Sequence, residues 1–201
     1  MTGWKAVSAA NVYPQGFFTQ PQAKAACEAA GKYLCSHKQL KTACKGPRGT
    51  KFPYGDVFEE GACHVGQKKT VDGTGRITFP ERPHILEIID PIGKEHPFLG
   101  EWKAHHAART KVFYDVRAAQ VEGYLMPTGS FPKCVVTWNG KKVYDTVGNL
   151  SELTGTTRKG EISFVGDGHS GTDRLGCDKA PFAHNDKWRD YSLGARCCKK
   201  L

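Results

Sequence analysis

The sequence predicts an α+β domain rich in irregular backbone and held together by disulfides. Three observations carry this expectation: two helical signals before residue 45, a strand-and-turn signal near residue 135, and eight cysteines in a 201-residue chain that also contains 23 glycines. A chain of this length can close a core of its own. No internal repeat, low-complexity tract or linker divides it, so a single domain over residues 1–201 is expected. The hydrophobic fraction of 39% is modest and agrees with a loop-rich domain.

Residues 20–30, Gln20-Pro21-Gln22-Ala23-Lys24-Ala25-Ala26-Cys27-Glu28-Ala29-Ala30, read as a helix opened by proline and closed by Gly31. A second helix is expected over 36–44, with Ser36 as its cap and Leu40, Ala43 and Cys44 facing inward. Gly46-Pro47-Arg48-Gly49 and Asp72-Gly73-Thr74-Gly75 then mark segments that run over the surface. His84-Ile85-Leu86-Glu87-Ile88-Ile89 admits either a strand or a helical turn, and 100–122 has mixed helical character. Lys133-Cys134-Val135-Val136-Thr137-Trp138 followed by Asn139-Gly140 reads as a strand and a turn.

The cysteines lie at positions 27, 35, 44, 63, 134, 177, 197 and 198. An even number without any Cys-x-x-Cys spacing favours pairing in an oxidising compartment, and adjacent Cys197 and Cys198 are poor ligands for one tetrahedral zinc. Four disulfides are expected, and the residues alone leave their connectivity open. No apolar run approaches membrane-spanning length. Met1-Thr2-Gly3-Trp4 carries no signal-peptide pattern, so an extracytoplasmic location (secreted, periplasmic or cell surface) expects a targeting segment already removed or another export route.

The net charge of +9 is dispersed: Lys38, Lys41, Lys45 and Arg48 flank two cysteines, and Lys199-Lys200 stand near the chain end. No zinc finger, phosphate loop or aromatic-basic RNA motif accompanies this charge, which argues against nucleic acid as partner. An anionic glycan or envelope surface fits it better, with a simply solvated basic face as the default.

Five segments stand out: Cys27-Glu28-Ala29-Ala30-Gly31-Lys32-Tyr33-Leu34-Cys35-Ser36, Ala43-Cys44-Lys45-Gly46, Phe52-Pro53-Tyr54-Gly55-Asp56, Val143-Tyr144-Asp145-Thr146-Val147-Gly148-Asn149-Leu150-Ser151-Glu152-Leu153-Thr154, and Leu193-Gly194-Ala195-Arg196-Cys197. Together they resemble the formylglycine-generating enzyme, or sulfatase-modifying factor, family. The landmarks occur in the family's order over about 27–198. The resemblance implies a compact α+β fold related to C-type lectins. It also implies that Cys27 pairs with Cys197 or Cys198, that Cys35 takes the other, that Cys44 pairs with Cys177, and that Cys63 is left for Cys134.

In that family catalysis uses two nearby cysteines that bind copper and activate oxygen. Here the corresponding stretch, 161–177, contains no cysteine before Cys177, so the chain is identified as a divergent member without the catalytic pair, and no copper is expected. The resemblance assigns Asn149 and Glu152 to a turn that holds a structural calcium ion, although the family's tryptophans beside Glu152 are replaced by Ser151 and Leu153.

The expected function is therefore non-catalytic: an extracytoplasmic binding or structural domain recognising a glycan or protein surface. Its candidate binding face comprises Trp138, Asp167, His169, Asp173, Arg174 and Trp188. Arg174 offers paired hydrogen bonds to a carboxylate or sulfate, and a tryptophan offers a stacking surface, with core packing as the plain alternative for both tryptophans. Asp167, His169 and Asp173 read as polar residues of an exposed glycine-rich loop. The competing expectation is a metal-dependent oxidative enzyme with a rearranged site drawn from His105, His106, His169, His184 and Asp167, but no His-x-His spacing organises these residues.

Overall fold

The computed structural model describes residues 5–16, 18–66, 70–71, 77–78, 125–169, 171, 174–189 and 192–200. The expectations for 84–89 and 100–122, and those for His105, His106 and Asp173, fall outside the described residues.

Helix α1 spans Gln20–Ala29 and α2 spans His37–Lys45. Both start in the same way. Thr19 and Ser36 are the caps, and each exchanges hydrogen bonds with the glutamine three residues on, Gln22 and Gln39, so two orphan backbone donors are satisfied at each start. Pro21 fits the first turn of α1, where its missing N–H costs nothing. Leu40 and Cys44 are buried as their spacing predicts, while Ala43 is only half-buried. Between the helices, strand β1 (Tyr33–Leu34) pairs antiparallel with the late strand β10 (Cys197–Cys198) and so joins two distant parts of the chain.

A short hairpin follows, β2 (Thr70–Val71) with β3 (Ile77–Thr78). Strands β4 (Val135–Trp138) and β5 (Lys141–Tyr144) form a second hairpin. Its two-residue turn is Asn139-Gly140, with φ of 46° and 77°, the left-handed pair that a turn matching strand twist requires. The main sheet is mixed, with order β8-β7-β6-β9. Here β6 (Ser151–Arg158) runs antiparallel to β7 (Glu161–Val165) and parallel to β9 (Leu193–Ala195), and β8 (Phe182–Ala183) lies on the outer edge of β7.

The core is divided among small clusters, most of them built on sulfur. Cys44, Phe52, Cys63, Cys134, Val147 and Cys177 form one, and Leu153, Ile162 and Leu193 fill the inner face of the main sheet. Disulfides join Cys27 to Cys197, Cys35 to Cys198, Cys44 to Cys177 and Cys63 to Cys134, and no cysteine is free. These are the pairings the resemblance implies, with Cys27 taking Cys197. Adjacent Cys197 and Cys198 thereby tie the end of α1 and the end of β1 to one short strand. Lys41 and Lys45 reinforce the Cys44–Cys177 link by both meeting Asp178 beside it.

Candidate functional site

The described residues expected to form a binding face lie at the end of β4 and in the segments after β7 and β8. Trp138 ends β4 and lies half-buried along α2, its ring N–H 3.4 Å from the carbonyl of Ala43. It helps to line a shallow depression of about 400 Å³ with Lys38, Gln39, Thr42 and Ala43. Trp188 is exposed and stacks on His184 at 4.1 Å. Arg174 is exposed and places its guanidinium 4.4 Å from the centre of the Phe58 ring.

Asp167 and His169 do not belong to an exposed loop: both are fully buried. The stretch begins as strand β7, and its continuation folds back under the turn that precedes β6. Asp167 accepts the Gly176 N–H at 2.7 Å through its carboxylate, and its carbonyl accepts from Gly148. His169 donates to the carbonyl of Asn149 both from its backbone and from ring Nδ1, each at 2.8 Å. Glycine richness suggested a surface loop. In this segment the glycines instead permit close approach: Gly166, at φ +85°, has the carbonyl oxygen of Thr146 2.7 Å from where a β-carbon would stand.

Asn149 and Glu152 are buried and held by protein groups. Asn149 spans the main chain of Met126, accepting its N–H at 3.0 Å and donating to its carbonyl at 2.8 Å. Oε1 of Glu152 accepts from Nε of Arg196 at 2.5 Å. The other end of the guanidinium donates to the carbonyls of Tyr144 and Asp145, at 2.7 and 2.8 Å. Burial pushes the Glu152 carboxyl up to about 7 despite this partner. Asp145 is also raised, mainly by burial, with the Gly129 N–H and Arg196 opposing the rise.

These groups stand at the wall of a cavity of about 1040 Å³, at the upper end of the roughly 300–1,000 Å³ usual for ligand pockets. Residues 5–15 form one side of it, α1 contributes Gln22, Ala23, Ala26 and Cys27, and β5 with residues 194–197 closes the other. The segment 5–15 is fixed by main-chain bonds from Ala6 to Ala26 and between Thr128 and both Asn11 and Val12. Apolar and aromatic surface comes from Val12, Tyr13, Phe18, Tyr144 and Leu150, and cations from Lys5, Lys32 and Lys142.

The sequence reading missed this cavity because its walls come from both ends and the middle of the chain. One signal was available: the Asn139-Gly140 turn sets the hairpin register and so fixes which edge of β5 is unpaired. Among the described residues no group of three or more His, Cys, Asp and Glu side chains is placed to hold a metal ion. No helix among them is long and apolar enough to cross a membrane. No protein-family model matches the chain, and no curated protein matches it either.

Proposed function

We propose that the protein is a non-catalytic, extracytoplasmic binding domain that recognises a glycan or protein surface, built on a scaffold like that of the formylglycine-generating enzymes and C-type lectins. The observation that carries the reading is the cavity of about 1040 Å³, whose walls are joined by the Cys27–Cys197 disulfide and whose charged residues include three lysines. A cross-linked frame lowers the ordering cost of binding because the walls are fixed before the ligand arrives. All eight cysteines are consumed by that frame, which leaves no thiol for nucleophilic or copper chemistry. The disulfides also favour an oxidising compartment.

The reading is tested by screening anionic and neutral glycans and a displayed peptide library against the wild-type protein and Ala26→Trp. Ala26 lies half-buried on the α1 wall of the cavity, so an indole there occupies ligand space while every disulfide remains. Ligands that bind wild type and weaken at least about tenfold on Ala26→Trp support the reading. A screen without ligands, or ligands indifferent to the substitution, contradicts it.

A further inference from the structure

We propose that the cavity takes an acidic, extended peptide segment, which adds as a new strand to the free edge of β5. This deepens the binding reading above and rests on it.

The phase of the hairpin decides which main-chain groups of β5 face away from β4. A two-residue turn makes Trp138 and Lys141 the hydrogen-bonded pair that closes it. Antiparallel pairs alternate, so Val136 with Val143 is bonded next, and then Cys134 with Asp145. The Asp145 N–H donates to the Cys134 carbonyl at 3.0 Å, which fixes this phase. Lys142 and Tyr144 therefore turn their N–H and C=O groups away from β4, and both residues line the cavity. Arg196 occupies the Tyr144 carbonyl. The Lys142 N–H and C=O and the Tyr144 N–H have no hydrogen-bond partner among the described residues.

Three main-chain groups on alternate residues repeat at about 6.6–7 Å, the two-residue period of an extended chain. That spacing suits another strand, as in recognition by strand addition. Also on the cavity wall, Val12 and Tyr13 are 45% and 48% exposed and offer apolar contact to side chains of the ligand. The charge favours an acidic ligand. Lys5, Lys32 and Lys142 are cavity-lining cations, whereas Glu152 is already paired with Arg196 and Asp145 accepts the Gly129 N–H.

The test uses a dye-labelled, acetylated octapeptide of alternating Glu and Val, followed by fluorescence anisotropy against the full chain. Its comparators are the Lys/Val counterpart, two versions N-methylated on one or the other set of alternate residues, and heparin as a polyanion without a peptide backbone. The acidic peptide is expected to bind at least about tenfold more tightly than the basic one. One N-methyl phase should lose about tenfold or more while the other keeps its affinity, because only one phase faces β5. Lys142→Pro should cause a similar loss, since the N–H it removes lies off the hairpin ladder and the strand tolerates proline there. The N-methyl pair keeps the test decisive if that variant folds poorly.

Absence of saturable binding by the acidic peptide overturns the proposal, as does insensitivity to both N-methyl phases or equal loss from both. If peptide binding is abolished by Ala26→Trp yet is indifferent to N-methylation, or if only heparin binds and is lost on Ala26→Trp, strand addition fails and the cavity reading stands. If binding is unaffected by Ala26→Trp, both fail.

Discussion

Arg196 holds Glu152 through a single Nε hydrogen bond of 2.5 Å and uses its remaining reach to fasten the carbonyls that end β5. One guanidinium thus links β6, β5 and the strand carrying two disulfides. Arg196→Met is expected to cost about 3 kcal/mol, because it strands a buried carboxyl and two carbonyls together. Chemical denaturation with a two-state fit checks this, and a loss below about 1 kcal/mol would assign the pair a minor role.

The same pair gives stability a pH dependence of defined sign. The folded carboxyl of Glu152 titrates near 7, above its ordinary 4.5, so between these values the folded state binds more protons than the unfolded. Its contribution is therefore fully present below pH 4.5 and is lost as pH rises through 7. The difference is on the order of 3 kcal/mol. Asp145 is shifted in the same direction and adds to the trend. Melting curves from pH 4.5 to 8 should show wild type losing stability relative to Glu152→Gln, and parallel curves would refute the assignment.

Asn149 is a left-handed residue, at φ 57°, and its amide clamps the main chain of Met126 on both sides. Asn149→Ala removes both hydrogen bonds and puts a residue ill-suited to that conformation in its place, for an expected loss of about 2–4 kcal/mol. Asn149→Gly should recover only the conformational part, roughly 1 kcal/mol. Urea unfolding of the three proteins separates the two terms.

The calcium expectation meets the same geometry. Asn149 Oδ1 and Glu152 Oε1 already accept from Met126 and Arg196, so an ion there would share both oxygens with protein donors and sit beside the Arg196 charge. The melting midpoint is expected to be the same in EDTA and in millimolar calcium. A clear calcium-dependent rise would return these two residues to a metal shell.

Gly148 lies so close to His64 that a β-carbon would stand 2.6 Å from the His64 carbonyl oxygen. Gly148→Ala must move a segment that also carries Asn149 and the start of β6. A loss of about 3 kcal/mol or more is expected, against roughly 1 kcal/mol at Gly140, where φ is also positive but the space is open. Comparable effects at both positions would contradict the packing argument.

Much of the scaffold was legible locally. The helices follow from Pro21 with Gly31 and from the Ser36 cap, and the β4–β5 hairpin from Asn139-Gly140 between β-branched residues. The main sheet was not legible. Strand β6 contains Thr154, Gly155 and Thr156, whose pattern gives no clean alternation, and its pairing shifts register between Leu153 and Thr157. Polar Asp167 and His169 looked exposed because a sequence does not reveal the interior hydrogen bonds that the Gly176 N–H and the Asn149 carbonyl make with them. The cavity is still less visible, since its wall gathers Tyr13, Ala26, Lys142 and Arg196 from distant parts of the sequence.

The central claim is that every cysteine is joined in the disulfide frame, and alkylation of the unfolded, unreduced protein followed by intact-mass measurement tests it most directly. The account predicts a mass without added label, and eight labels after reduction. Two or more labels before reduction would contradict it.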